Sequence, residues 1–401
     1  MTRRKSIGAK RRSGVILIVT ILAMTVLIGI VALAVDLGRY QVVETQLLRT
    51  CEAAARAGVA NLSSGTTTST TAAKNLAALD IADGTYVNSS NATITIQYLN
   101  WTSSSNYTIE SGATGSNAMK VTISESVPML FAEILGFPKL TATESATALI
   151  TTYTETPYVN ATGNPWLAGE PNGTEASQPD PGYFDVPQPS DHKWEYDTAG
   201  PNGTDNPTTG EPYGTPVQLT IPVTPGSTIE LTNVTGLASN DYAWAANTDA
   251  NGDDGGTYYN YNDAAATNGD GDDPGYTGTG NANSASDATG SEHGMSNTDM
   301  PLNSIVGVFL DANQPDTEDS TVPPGLDFTT QSERDYSSIS PELRQTFYAG
   351  NGQTSTGAQQ EIVVPAGATR MFLGTMDGWE WSNNTGGFTV TITETSISIV
   401  Q

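Results

Sequence analysis

The longest unbroken apolar run is Val15–Val35, VILIVTILAMTVLIGIVALAV, 21 residues without a charge. At about 1.5 Å rise per residue a helix of that length reaches roughly 30 Å, one hydrocarbon thickness. The run is apolar on every side and carries no amphipathic stripe, so it predicts a membrane-spanning helix rather than the core helix of a soluble domain. A cleaved signal peptide is the rival reading, because Ala32-Leu33-Ala34 offers an A-x-A site. The run is longer than the roughly 7–15 residues of a signal h-region, which favours a retained anchor.

Beyond Asp36 the pattern changes without a proline. Leu47, Leu48, Cys51, Ala54, Ala55 and Gly58 recur at three- and four-residue spacing and continue the helix. Cys51 falls on that small, apolar face, either as a packed small residue or as one half of an intermolecular disulfide. The Ser/Thr run 63–71 should break the helix, and a second one is predicted over Ala72–Ala82, stopped by Asp83-Gly84. Alternating β-prone segments follow at Ala92–Tyr98, Ala118–Glu125 and Leu140–Ile150, with a short helical turn over 127–136 closed by Gly136. These elements make a small α+β head behind a spine helix.

Residues 151–216 hold 11 of the 22 prolines and read as an extended linker. From Val217 strand patterns return. VQLTIPVTPGSTIELTNVTGL predicts two strands joined at Pro225-Gly226. Ser304–Leu310, Glu361–Val364, Thr369–Leu373 and Gly387–Thr393 add four more, around an almost aliphatic-free block at 245–298. Short strands with Gly/Pro turns suggest an antiparallel sandwich. The fold class is α+β, divided into a basic segment (1–13), a transmembrane helix (14–36), a small α+β region (37–150), the linker (151–216) and an all-β domain (217–401).

Charge refines this picture. The chain carries −27 at pH 7, although residues 1–13 hold six bases and no acid. Those bases keep the start of the chain cytoplasmic and send the rest outward. So acidic a remainder repels phosphate backbones, which excludes nucleic acid as a partner, while acidic loops can collect divalent cations. One cysteine and two histidines, His192 and His293, leave no disulfide framework and no multi-histidine metal centre. No nucleophile elbow or phosphate loop is present, and no spacing of acidic pairs favours a glycosidase. The chain reads as a non-enzyme.

On AVDLGRYQVVETQLLRTCEAAARAGVA and KVTISESVPMLFAEILGFPKLTATESATALI, the first 150 residues resemble the TadE/TadG-like proteins of Tad (Flp) pilus assembly. The resemblance implies a pilin-like, single-pass protein of the bacterial inner membrane, with its C-terminal region in the periplasm or at the cell surface and other pilus-assembly subunits as partners. One departure is that the fifth residue after Gly14 is Val19, where pilins carry Glu at a prepilin-peptidase site. The von Willebrand-type DxSxS metal motif of some relatives is absent.

The last 190 residues or so resemble the LecA (PA-IL-like) galactophilic lectins, calcium-dependent β-sandwiches. The segments that carry this are IPVTPGSTIELTNVTGLAS, EHG followed by PLNSIVGVFLD, and above all VVPAGATRMFLGTMDGWEWSNNTGGFTVTI. The resemblance implies a Ca²⁺ held by Asp377, Asn383 and Asn384, with Trp381 in the place of a carbonyl ligand and another carbonyl between Asn240 and Tyr242. His293 takes the place of a sugar-contacting histidine. The loop makes chemical sense unaided: one carboxylate, two amide oxygens and nearby carbonyls approach the 6–8 oxygen ligands of Ca²⁺. Trp379 and Trp381 would stack on the apolar face of a pyranose of galactose type. The alternative is an Asn-rich turn with half-buried tryptophans. Asp249–Gly255 imitates the start of an EF-hand loop but has Asn260 where Glu belongs; with Asp270, Asp272 and Asp273 it is either a structural calcium site or a solvated acidic loop. Together these point to a membrane-anchored, outward-facing carbohydrate-binding protein. A minor pilin or assembly factor with a protein–protein sandwich is the second reading.

Overall fold

The structure is a computed structural model; it describes residues 12–88, 90–172, 174, 176, 214–239, 249–251, 284–285, 291–317, 321–378, 381 and 384–400. The chain divides into two units, Met1–Thr151 with Ile397–Gln401, and Thr152–Ser396.

In the first unit, helix α1 runs unbroken from Arg12 to Val59. Over its apolar half the side chains, Ile16, Leu22 and Ile28 among them, are exposed. From Asp36 onward one face turns inward, with Val43, Leu47, Cys51, Ala54, Ala55 and Val59 all buried. The stripe ends in small residues because its neighbours come close: a Cβ on Gly58 would lie 2.1 Å from Met119 Sδ. Cys51 is packed in this core, donating to the Glu144 carbonyl at 3.3 Å.

Helix α2 spans Thr66–Ala77, not Ala72–Ala82. The Ser/Thr run was expected to compete with helix formation, but its hydroxyls bond elsewhere. Ser69 Oγ donates to Gly58 O at 2.6 Å, Thr70 Oγ1 meets Tyr98 Oη at 2.6 Å, and Thr66 Oγ1 accepts from Ala113 N at 2.9 Å. Asp83-Gly84 is no helix stop. Both residues have positive φ, 48° and 79°, and they turn a small hairpin between Ile81–Ala82 and Thr85–Tyr86, the conformation that Asp-Gly favours.

The helices cover one face of an antiparallel sheet ordered Asn106–Glu110, Ala92–Ser103, Ala118–Pro128, Lys139–Glu155. Met119, Val121, Ile123 and Val127 alternate inward along the third of these strands. The three expected strands lie within longer observed ones, the short Asn106–Glu110 strand is additional, and the helical turn is a 3₁₀ turn, Ala132–Leu135, closed by Gly136 at φ 90°. Ile397 and Ile399 pack on this core, and Arg56 Nη1 donates to Ile397 O at 2.9 Å.

The second unit contains a sheet ordered Thr346–Tyr348, Ile305–Leu310, Arg370–Thr375, Val217–Gln218. Its other main strands pair as Ser338–Ile339 with Glu361–Val363, Glu361–Val363 with Thr228–Ser239, and Thr228–Ser239 with Thr385–Val400, which also pairs with Tyr158–Asn160. Ile229, Leu231, Phe388 and Ile392 from this group share one hydrophobic cluster with Val306, Val308, Phe372 and Leu373 from the first sheet, as in a sandwich. The two strands expected on either side of Pro225-Gly226 are Val217–Gln218 and Thr228–Ser239; they pair in different sheets, and the turn at Gly226, φ 81°, carries the chain across.

The second unit begins well before Val217. The segment read as linker supplies the Tyr158–Asn160 strand and a 3₁₀ turn, Pro165–Leu167, capped by Asn164 Oδ1 accepting from Trp166 N at 2.9 Å. Trp166 is fully buried, its indole N–H donating to Ser296 O at 3.0 Å. Proline density misled because Pro165 starts a turn, where its fixed φ and missing N–H are no handicap. Residues 177–213 of the expected linker, His192 among them, lie outside the described residues.

Candidate functional site

The Arg370–Thr375 strand belongs to one sheet and Thr385–Val400 to the other, so the segment between them crosses the sandwich edge. At its entry Asp377 is fully buried, its Oδ1 accepting from Gly378 N at 2.6 Å. At its exit Asn384 is equally buried. Its backbone N–H donates to Trp381 O at 3.1 Å, and its Nδ2 donates to Ala161 O at 3.0 Å. Thr375 Oγ1 donates to that same carbonyl at 2.7 Å. Ala161 O therefore clasps both ends of the segment.

Asn384 Oδ1 has no hydrogen-bond partner among the described residues, and neither does the Oγ1 of Thr162, buried next to the clasp. A buried acceptor left without a donor costs about 1–3 kcal/mol. A buried carboxylate and an unmatched amide oxygen are hard donors of the kind Ca²⁺ takes. The donor set fits the ion as far as it is described; Asn383, Trp379, Asn240 and Tyr242 lie outside the described residues.

Trp381 is a correction to the sugar-stacking expectation. It is 3% exposed; its indole N–H donates to Thr375 O at 2.8 Å and its ring lies 5.6 Å from Trp166, tilted by 60°. Its faces belong to the core and offer no platform to a pyranose. The sequence signal for this was a second tryptophan, Trp166, in the stretch read as linker. The Trp381 carbonyl, the atom the resemblance implicated, accepts from Asn384 and keeps a second lone pair.

His293 sits at the tip of a two-residue turn, with Glu292 N to Met295 O at 3.2 Å and Met295 N to Glu292 O at 2.9 Å. Both tip residues, His293 (φ 47°) and Gly294 (φ 72°), are left-handed. The imidazole Nε2 lies 3.1 Å from Glu292 Oε1. Glu170, His293 and Asp316 each offer a ligand atom, all within 4.8 Å of one another. Burial pushes the Glu170 carboxyl up and the charge of Asp316 adds to it, while the hydrogen bond from Gln314 Nε2, 2.8 Å to Oε2, and the charge of His293 pull it down. An imidazole with two carboxylates suits zinc-class cations rather than Ca²⁺. No spacing motif joins positions 170, 293 and 316, so sequence reading did not group them.

At the other candidate loop, Asp249 Oδ1 accepts from Asn251 N at 2.9 Å, while Asn251 Oδ1 accepts from Asn351 N at 2.9 Å and from Tyr348 Oη at 3.3 Å. The Asn251 side chain is spent on holding the turn to its neighbours. Residues 252–273 lie outside the described residues.

The membrane-facing end is built around Asp36, the first charge after the apolar run. Its carboxylate accepts from the backbone N–H groups of Leu130 (2.9 Å), Phe131 (2.8 Å) and Ala132 (2.6 Å). Arg39 reinforces this, with Nε and Nη2 on the Asp83 carboxylate at 2.9 and 2.8 Å and Nη1 on Pro128 O at 3.2 Å. Asp36 and Arg39 thus lock the head onto the helix within the first turn after the apolar span. Residues 14–61 match the family described as putative Flp pilus-assembly TadE/G-like, and residues 57–148 match one described as putative Tad-like Flp pilus-assembly. This region is similar to Tad-like pilus-assembly proteins. The two matches cover the helix and the α+β head, and end before the β-rich unit. No curated protein and no solved structure matches the chain.

Proposed function

We propose that the chain is a single-pass protein of the bacterial inner membrane, with its basic end cytoplasmic, which works with other Flp pilus-assembly subunits and presents its β-rich unit outward. In this reading the segment 376–384 holds a Ca²⁺ whose open positions accept vicinal hydroxyls of a carbohydrate. The observation that carries the cation is the pair Asp377 and Asn384, both shut from solvent, with Asn384 Oδ1 unmatched among the described residues. A cation there satisfies the amide oxygen and compensates the buried carboxylate at once. Because Trp381 faces the core, binding a sugar falls to the ion and to loop residues rather than to a Trp381 stack.

The test uses the full chain in detergent micelles. Calcium is expected to raise the thermal midpoint of the wild type and to leave Asp377→Asn unmoved, and a glycan array read with and without chelator is expected to show calcium-dependent retention. A calcium shift without glycan retention favours the second reading, an assembly factor whose sandwich is a protein–protein module. The buried Trp381 ring, which removes one stacking surface, is the observation that supports that alternative. No calcium shift in a folded wild type refutes the cation site.

A further inference from the structure

Outside the spanning helix, the loop that Asp36 grips carries the densest run of exposed large apolar side chains among the described residues. Met129 and Ala132 point into the core, while Leu130 (60%), Phe131, Ile134 (84%), Leu135 (68%), Phe137 and Leu140 stand in the open. Six large apolar side chains within eleven residues are far from a solvated surface, where contiguous apolar patches mark interaction sites. The loop is closed and rigidly placed: Met129 N donates to Pro138 O at 3.0 Å, and Tyr40 Oη donates to Thr141 O at 3.1 Å.

Its height along the helix is fixed by the three hydrogen bonds to Asp36. At about 1.5 Å per residue, Asp36 lies a single residue past Val35, the last position of the apolar run, so the loop sits within about one turn, roughly 5 Å, of the hydrocarbon edge. Val35 and Leu37, which flank Asp36 on the helix, are exposed as well. The apolar surface of the loop is therefore continuous with the lipid-facing surface of the helix. Its ionic side chains, Glu133 and Lys139, are both exposed and offset each other in charge.

We propose that the loop 129–140 is a second membrane contact, seated in the headgroup–acyl boundary of the leaflet from which α1 emerges. The occupant of this apolar surface is lipid. Burying such side chains away from water is favourable and fixes the tilt and rotation of the head on the bilayer surface, which one helix alone leaves free. The inference rests on α1 spanning the membrane.

The experiment exploits the single cysteine. In a Cys51→Ala background, full-length protein is reconstituted in bilayers of phosphatidylethanolamine and phosphatidylglycerol and labelled with an environment-sensitive fluorophore at Ile134→Cys, at Leu135→Cys, at Ile28→Cys within the span, or at Ile109→Cys on the sheet. Lipids carry a doxyl quencher near the headgroup or at the chain end. The expected result is strong shallow quenching at 134 and 135, deep quenching at 28 and none at 109. Quenching at 28 without quenching at 134 or 135 overturns the loop contact, whether those labels report water or a protein neighbour. Absence of quenching at 28 overturns the anchor and the loop contact with it. Both loop sites are exposed, so labelling leaves the core intact.

Discussion

Replacing Trp166 tests whether the stretch before residue 176 is core or tether. The side chain is completely buried, packs its ring against Trp381 at 5.6 Å and donates its indole N–H to Ser296 O at 3.0 Å. Truncating a buried tryptophan to alanine costs about 3–5 kcal/mol. The hydrogen bond is a small part of that, because Ser296 O keeps a second donor, Thr346 Oγ1 at 2.9 Å, and no acceptor is orphaned; its net worth is about 0.5–1.5 kcal/mol. Trp166→Phe, which retains most of the packing, is expected to cost about 1–2 kcal/mol and Trp166→Ala about 4 kcal/mol. Hydrogen exchange with mass spectrometry suits a chain of two units, since it reads local opening and assumes no global transition. Amides of Ile305–Leu310 should exchange about a thousandfold faster in Trp166→Ala and about tenfold faster in Trp166→Phe. Amides of Ala118–Pro128, in the other unit, serve as the internal control. Unchanged exchange over Ile305–Leu310 in Trp166→Ala would refute the assignment of this stretch to the core, and equal effects of Phe and Ala would refute the division into packing and hydrogen bonding.

Three further outcomes are expected. Cys51, whose thiol is pushed up to about 12 by desolvation and the nearby Glu144 and Glu52 charges, should resist maleimide at neutral pH in the folded protein and react only on denaturation; fast labelling of the native state would contradict its place in the core. Burial raises the Glu125 carboxyl above its ordinary value, with the Asp83 charge adding to the shift and a hydrogen bond from Thr85 opposing it. A folded-state value above the unfolded one means that stability is complete below the unfolded pKa and falls as pH rises through the folded one. Glu125→Gln should thus raise the thermal midpoint near neutrality and change nothing below pH ~4, and a gain that persists at acid pH would point to packing instead. Gly58→Leu should destabilise the helix-borne unit by roughly 1–3 kcal/mol, since its Cβ alone would overlap Met119 and press on Ala73 at 3.1 Å; circular dichroism melts that match the wild type would show the gap to be larger than described.

Much of the helix-borne unit could be read from the chain because its signals are local. An apolar run, a stripe of small residues and period-two strands each specify one element, and the pattern places α1 and three strands well. Where it failed, chemistry beyond the local window decided. The Ser/Thr run folds as helix because Ser69, Thr70 and Thr66 bond to Gly58, Tyr98 and Ala113, partners no periodicity reveals. Asp83-Gly84 fits both a helix stop and a hairpin turn, and pairing of Ile81 with Tyr86 chose the turn. In the second unit the strands were legible but their partners were not, since strand pairing is a long-range choice. At 376–384 the residue types were legible and the burial of Asp377, Trp381 and Asn384 was not; Trp381 looked like a sugar platform until Trp166 supplied the surface it packs on. The association of Glu170, His293 and Asp316 had no sequence signature at all.

One feature of the first unit bears on how the protein is made. Ile397 and Ile399 complete its core, and Ile397 accepts from Arg56 near the end of α1, yet the ribosome reaches them only after the entire β-rich unit. The anchored head is thus the first part to leave the exit tunnel and the last to finish folding. Until the last strand is made it waits unfinished, with part of its apolar surface uncovered. A fusion or truncation at the last strand would strike the membrane-proximal head, far away in sequence.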